Sequence, residues 1–467
     1  VRRLRHGLGL TQSRMARDLG MSVSYLNLIE RNQRPLTAAV LLKLTDVYDI
    51  DIRQFTAAET DPRAEDVAAA LAAAGLSAGR ADIRDFAETH PEIAAALLRL
   101  AAAARHATPD GGGEPGQPTG RAEPPSPLAR VRAHLLERGN HFAAIDAHAE
   151  QLADELRLSG QALDAAVRDR LRARHGLNVR VLPWDVMPNQ LRRFDLHNRQ
   201  VLLSETLDGA SRTFQLCVQL ADFEARAEID AELAAAAPRL ANDQTATRLL
   251  ATNLASYWAA ALMMPYARFH AAAESLGYDL ELLQARFSAG FEQVAHRLTT
   301  LQRPGARGIP FLLLKTDRAG QISKRFAAGR LPFASEGGRC PLWILHAAFE
   351  HPGRILTQVA EIESGEKLFT LARTVRPQIT PWGASRPAFA IALTCALDHA
   401  RSLVYAGGLD LAALGATPIG PACVSCHRAD CRQRSAPPAG VPLRIDTHSR
   451  GLQPYRFETS QPGDSTT

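Results

Sequence analysis

No stretch of this 467-residue chain is long and apolar enough to cross a bilayer. A spanning helix needs about 20 apolar residues, and the longest apolar run, 94–104, is alanine-rich and carries Arg99. No secretory leader pattern is present. Cysteine is scarce, six in all and unevenly spread: Cys217, Cys340 and Cys395 stand alone, whereas Cys423, Cys426 and Cys431 cluster. Without export signals, such a set argues against a disulfide framework and for metal binding or redox chemistry in the cytoplasm. No repeat period is visible. What is present is ordinary for a globular protein, with 46% hydrophobic and 22% charged residues. The net charge of +5 and pI near 9.0 suit an anionic partner without requiring one.

The length predicts about three domains at ~150 residues each. The chain opens on Val1 inside a basic amphipathic segment, so its true start is expected upstream and its first helix clipped. Residues 1–56 read as a compact helical unit, and 57–104 as an alanine-rich helical connector punctuated by Gly75, Gly79 and Pro91. Residues 105–127, rich in Pro, Gly and Glu, cannot bury enough apolar surface to fold and read as a flexible linker. The stretch 128–331 is mostly helical, with strand-like runs at 178–182, 200–203 and 310–315. Residues 332–457 are mixed, with strands expected at 342–345, 368–374 and 389–394. The polar tail 458–467 reads as disordered. The expected fold class is multidomain, mainly α with α+β parts.

Thr11 is a favoured N-cap for a helix running to Asp18, with Met15 and Leu19 on one face. Gly20 permits a tight turn, Ser22 caps a second helix with Leu26 and Ile29 as its buried stripe, and Thr37 starts a third reaching Tyr48. A helix, a glycine turn and a second helix form the arrangement that docks in the major groove. On this reading Ser22, Val23, Ser24, Asn27 and Leu28 face base edges, while Gln12, Arg31, Asn32 and Arg34 lie near phosphates. The alternative is a small helical bundle whose polar residues are merely solvated; cap, turn and basic flank together favour DNA. Thr11-Gln12 and the run Tyr25-Leu-Asn-Leu-Ile-Glu-Arg-Asn-Gln-Arg-Pro35 resemble the lambda-repressor-like, or XRE, helix-turn-helix. That resemblance implies an all-α DNA-binding domain acting as a homodimer on half-sites about one helical turn apart.

Residues 214–222 and 253–265 resemble the two helices of the ImmA/IrrE zincin-like peptidase domain, an α+β fold. That family sets two histidines one helical turn apart around a glutamate base. Here Val218, Gln219 and Asp222 stand where His, Glu and His are expected, and Leu254 where the third ligand, a glutamate, would fall. The resemblance therefore implies a domain without zinc or water activation, not an enzyme, kept as a binding scaffold. A metallopeptidase cleaving a repressor is the enzymatic alternative, and these losses disfavour it. Arg192, Arg193, Arg212, Lys324 and Arg325 lie in or beside apolar segments, with Tyr257 and Tyr266 on the second of those helices. Guanidinium forks suit phosphate oxygens, and an aromatic face can carry an adenine ring; a coenzyme A moiety would satisfy both. Taken singly, each arginine reads better as a solvated or acid-paired surface residue, and Tyr257 as helix core.

In the tail, Cys423-Val-Ser-Cys426-His-Arg-Ala-Asp-Cys431 spaces its thiols so that they can converge on one centre. Arg428, Arg432 and Arg434 would offset thiolate charge. Three cysteines leave one ligand open. Cys395 is the first candidate, Cys340 and His427 follow, and a three-cysteine cluster with one open iron is the other arrangement. Zinc competes, because Cys3His is an ordinary structural set. Cys217 reads as a small buried hydrophobe. Together with 265–283, 293–302, 322–326, 340–343 and 417–434, this tail resembles the short-chain fatty acyl-CoA regulators. These are bacterial transcription factors of acetate, propionate, glyoxylate-cycle or methylcitrate-cycle genes. The resemblance implies a short-chain acyl-CoA effector and, in some members, a [4Fe–4S] cluster. It implies no membrane partner. A purely redox-responsive repressor remains the third reading.

Overall fold

The computed structural model describes residues 1, 5, 10–30, 34, 37–48, 125–329, 331–333, 337–376, 379–411 and 415–457, with isolated positions between 67 and 98. The chain divides into two compact units, 1–124 and 125–467. The predicted linker up to residue 124 and the tail 458–467 lie outside the described residues, as does most of the connector. Among its described positions, Val67, Ile83, Ala87 and Ala94 form a small apolar cluster.

The first unit is helical. α1 (Gln12–Asp18) starts where Thr11 Oγ1 accepts the Arg14 amide at 3.2 Å, and α2 (Val23–Glu30) where Ser22 Oγ accepts the Tyr25 amide at 3.1 Å. Each cap satisfies an amide that the helix itself leaves free. Gly20, at φ +63, makes the left-handed turn between them. α3 (Ala38–Tyr48) closes a core of Met15, Leu19, Leu26, Ile29, Val40 and Leu44.

The second unit starts with α4 (Pro127–Glu137), α5 (Ala143–Arg157) and α6 (Leu163–His175). A three-stranded sheet follows, β1 (Asn178–Leu182), β2 (Arg192–Asp195) and β3 (Gln200–Ser204), in the order β1-β3-β2. Then come α7 (Gly209–Glu224), α8 (Arg226–Ala236), α9 (Gln244–Met263), α10 (Tyr266–Ser275), α11 (Leu280–Phe287) and α12 (Phe291–Leu298). The second sheet comprises β4 (Leu312–Thr316), β5 (Ile322–Ala327), β6 (Leu356–Glu361), β7 (Lys367–Val375), β8 (Phe389–Ala396) and β9 (Thr417–Pro418). Its order is β5-β4-β8-β7-β6-β9, antiparallel except for β6 against β9.

Alternation along these strands makes the sheet apolar on both faces. Leu313, Phe369, Leu371, Ile391, Leu393 and Cys395 enter the large core built with the helices. Their neighbours Leu312, Leu314, Ala372, Ala390 and Ala392 enter a second core with Cys340, Trp343 and Ile419. The large core runs from Val131 to Ala406, so packing continues across the domain boundary expected at 331/332.

Buried charge pins three helices together. Asp146 of α5 accepts from Arg297 Nη2 of α12 at 2.6 Å and from the Tyr257 hydroxyl of α9 at 2.6 Å. Burial opposes ionisation of this carboxyl, but the Arg297 charge and the hydrogen bonds from His141, Tyr257 and Arg297 outweigh it and hold its pKa down to about 2.

Five of the six expected strands are present, and β2, β5, β6 and the two-residue β9 are additional. The strand expected at 342–345 is instead an α-helical turn, α13 (Ile344–Ala347). The Gln358 side chain supplies the hydrogen bonds a strand neighbour would have given. Its Oε1 accepts the Ile344 amide and its Nε2 donates to the Leu342 carbonyl, both at 2.9 Å.

Candidate functional site

In the helix-turn-helix unit, Ser22, Val23, Ser24 and Leu28 are exposed on one side of α2, with Asn27 half-buried beside them, while Leu26 and Ile29 face inward. This is a contiguous surface of short side chains that a groove can approach. Arg34 is exposed as well, and Arg31 and Asn32 lie outside the described residues. Gln12, expected near phosphates, is half-buried and hydrogen-bonds within the unit, its Nε2 donating to Asn27 Oδ1 at 3.4 Å. Its Nε2 donates to Glu30 Oε2 at 2.7 Å, and Arg5 donates to both oxygens of the same carboxylate at 2.7 and 3.1 Å. Gln12 and Arg5 thus fix α2 from behind, a pairing the sequence did not signal.

The second unit holds a cavity of about 1040 Å³ between α5, α6, the start of α7, the end of α9, α10 and α11. Five arginines reach it, Arg157, Arg168, Arg212, Arg268 and Arg286, against an apolar wall of Leu156, Leu163, Leu262, Met263 and Phe287. Arg168 pairs with Asp164 at 2.9 Å and Arg268 with Asp154 at 3.3 Å. Arg212 Nη2 donates to the Glu205 carbonyl at 2.9 Å, but its buried Nε has no acceptor. Gly209 and Ala210 bring the N-terminus of the 16-residue α7, the electropositive end of the helix, to the same wall.

Of the seven effector residues expected from the sequence, only Arg212 lines this cavity. Arg192 donates to Gln219 Oε1 at 3.1 Å, and Gln219 Nε2 to Asp222 Oδ2 at 3.1 Å, so these three satisfy one another at the degenerate peptidase position. Val218 and Leu254 are core. Arg193 is exposed on β2. Tyr257 is buried against Asp146, and Tyr266 is buried with its hydroxyl donating to the Ala306 carbonyl at 2.9 Å and accepting the Arg303 amide at 2.8 Å. Lys324 pairs with Glu292, and Arg325 donates to the carbonyls of Phe333 and Gly337. Arg192, Tyr257, Tyr266, Lys324 and Arg325 are thus held by other parts of the protein, and Arg193 is not among the residues lining the cavity. The sequence missed Arg157, Arg168, Arg268 and Arg286 because four separate helices supply them. The available signal was the small side chains facing them, Ala153, Ala162, Ala166, Ala271 and Ala272, which leave space where leucine would fill it.

The tail cysteines occupy a loop folded against the outer face of the large sheet. Arg428 anchors it, donating to the carbonyls of Ile419 at 3.1 Å and Glu361 at 2.7 Å. Cys423 Sγ accepts from the Ser435 hydroxyl at 3.3 Å and amide at 3.5 Å. Burial disfavours its thiolate, but these donors, the Ala436 amide and the Arg434 charge win, so its pKa falls below the ordinary thiol value. Cys426 is pushed up to about 11 by burial and by its hydrogen bond to Glu363. A Cβ on Gly420 would stand 2.6 Å from Cys426 Sγ, so only glycine leaves room for that sulfur.

Cys395, the expected fourth sulfur, is on the wrong face of the sheet. It is fully buried in the large core opposite Phe369, where burial alone raises its pKa to about 12. Cys340 lies on the outer face instead. Burial raises its pKa, the amides of Gly420 and Leu342 hydrogen-bond its sulfur, and the thiols of Cys423 and Cys431 act on it electrostatically. His427 is exposed, with its amide donating to Glu363 at 2.7 Å. Cys340 is thus within electrostatic reach of Cys423 and Cys431, and with Cys426 the two segments offer four thiols whose chemistry suits a thiolate-bound centre. Among the described residues, no three His, Cys, Asp or Glu side chains already stand together as a metal site, so closing on one centre requires the thiols to turn. Cys217 is buried in the helical core, which raises its pKa.

A helix-turn-helix unit ahead of a body of helices and mixed sheets defines a DNA-binding transcription regulator. Residues 1–55 match the helix-turn-helix family, 172–299 the IrrE N-terminal-like domain, and 300–455 the short-chain fatty acyl coenzyme A regulator, C-terminal family. The HTH-type transcriptional regulator RamB of Mycobacterium tuberculosis is 36% identical over 97% of both chains. The HTH-type transcriptional regulator PrpR of the same species is 35% identical over 97% of this chain and 94% of that one. The propionyl-CoA carboxylase regulator of Cereibacter sphaeroides is 38% identical over 98% and 97%. A solved Mycobacterium tuberculosis transcriptional regulator superposes with a TM-score of 0.67 at 36% identity, covering 71% of this chain and 99% of that one. The chain belongs to the short-chain fatty acyl-CoA regulator family. Its relatives are named as regulators rather than enzymes, and among the described residues no helix is long and apolar enough to cross a membrane.

Proposed function

We propose that this chain is a cytoplasmic regulator of acetate or propionate genes that binds operator DNA as a homodimer or higher homo-oligomer. A short-chain acyl-CoA in the cavity changes its grip on the operator. The observation that carries this reading is the cavity itself, where arginines line one side and an apolar wall the other. Its volume of about 1040 Å³ suits a large ligand, since small-molecule sites span roughly 300–1,000 Å³. Arg157 and Arg286 have no carboxylate partner among the described residues, and Arg212 Nε lacks an acceptor. Phosphate oxygens would satisfy all three, and a thioester-linked chain would lie against Leu262, Met263 and Phe287.

Cys340, Cys423, Cys426 and Cys431 would hold an iron–sulfur cluster, with zinc as the alternative metal. When bound, such a centre cross-links the segment at 340 to the tail loop and supplies a metal- or redox-dependent input. The protein's own part is to present the thiols, with Ser435 and the amides of Gly420 and Leu342 as hydrogen-bond donors to sulfur.

Calorimetric titration of the full chain with acetyl-CoA, propionyl-CoA and free CoA tests the effector. Saturable binding is expected, weakened about tenfold or more by Arg286→Glu, which places a negative charge where a phosphate would sit. Absence of binding by every CoA species refutes the proposal.

A further inference from the structure

The most heavily used side chain of the tail loop is not a cysteine. Arg434 is 3% exposed, and its guanidinium faces four backbone carbonyls. Nη1 donates to Cys423 at 2.9 Å and to Ala436 at 3.3 Å, and Nη2 donates to Cys426 at 3.0 Å and to Arg428 at 2.9 Å. The Phe457 ring lies 4.8 Å from the guanidinium carbon. A loop that lacks a ladder must find donors for its carbonyls elsewhere, and a planar fork with five N–H groups meets that need from one point.

Two features remain unexplained by scaffolding. Arg434 Nε is buried without any acceptor. The cation also has no carboxylate partner among the described residues, although a guanidinium stays charged at any ordinary pH and a buried charge calls for compensation. Two of the four carbonyls that hold it belong to Cys423 and Cys426, which sets the cation beside both cysteines. Four thiolates around a metal or iron–sulfur core carry net negative charge.

We infer that Arg434 is the built-in counter-charge of the cysteine centre, bracing the loop through its carbonyls and keeping its free Nε–H for a centre sulfur. This rests on the thiolate-centre reading of the proposed function. Arg434 is accordingly a positioning residue: it ligates nothing, but sets how tightly the centre is held. Removing a positive charge beside a negative centre loosens the metal and, for an iron–sulfur cluster, lowers the reduction potential.

The test uses the full chain purified without oxygen as wild type, Arg434→Lys, Arg434→Gln and Phe457→Ala. Iron, sulfide and zinc per chain are assayed, and metal release to excess EDTA is timed, with circular dichroism to follow the fold. Arg434→Gln is expected to release metal at least about tenfold faster than wild type. Arg434→Lys, which keeps the charge but cannot bridge four carbonyls, is expected between the two, and Phe457→Ala close to wild type, all with unchanged circular dichroism. Equal loss from the lysine and glutamine variants overturns the counter-charge role. Wild-type release rates in both overturn the inference entirely while leaving the centre itself in place. Metal-free wild type overturns the underlying reading and this inference with it.

Discussion

Cys340 and Cys395 differ by which side of one sheet they occupy. Both are solitary, and the apolar run around Cys395, which made it the first candidate over Cys340 beside Arg339, turns out to mark core rather than a ligand. The register of β8 turns Cys395 to the helical face with Ile391 and Leu393, whereas Cys340, in the loop before α13, joins Trp343 and Ile419 in the core on the other face. A strand's side chains alternate, so one register step decides which core a thiol enters. Cys340→Ser is accordingly expected to cut the metal bound per chain well below wild type without unfolding the protein. Cys395→Ser should retain metal but lose about 1–3 kcal/mol of stability, because a hydroxyl would be buried without a partner. Metal assay and thermal melting of both variants check this, and the reverse pattern would displace Cys340 from the ligand set. The effector arginines follow the same logic. Arg212 was legible beside an apolar segment, whereas Tyr257 and Tyr266 proved to be hydroxyl-bonded core.

At the scale of elements, the helix-turn-helix was the most legible part because its signals are local. Thr11, Gly20 and Ser22 act within a few residues of themselves, and each does what its side chain or backbone freedom dictates. The turn at 344–347 was illegible for the opposite reason, since its hydrogen bonds come from Gln358 on another element. The Asp146 network is likewise long-range, tying α5, α9 and α12 through residues more than a hundred positions apart. Asp146→Asn would leave Arg297 buried without its counter-ion and is expected to cost about 3–5 kcal/mol. Because the folded-state pKa lies below that of the unfolded chain, the wild-type carboxylate stabilises at neutral pH. That contribution fades as pH falls from about 4 toward 2. Denaturant melts of wild type and variant across this range check it: the two curves should converge in acid, and a gap that persists at pH 2 would contradict the assignment.

In the whole molecule a helix-turn-helix unit precedes the body to which the proposed function assigns sensing. The family was legible from motifs spread over most of the chain, and the relatives match along nearly all of it. The cavity was not, because its walls are assembled from helices whose sequences carry only surface-type arginines and small residues. Sensing requires that the ligand bind one arrangement of the protein better than another, since a ligand indifferent to the two shifts nothing. Such couplings typically amount to about 1–3 kcal/mol, or roughly 5–150-fold in affinity. The direct measurement is fluorescence anisotropy of the full chain on a genomic operator fragment selected by the protein itself, at fixed salt, with and without saturating CoA esters. The account predicts an operator Kd that moves at least about fivefold with acetyl- or propionyl-CoA in wild type and stays put in Arg286→Glu. An operator Kd that is the same with acetyl-CoA, propionyl-CoA, free CoA and no ligand would contradict it.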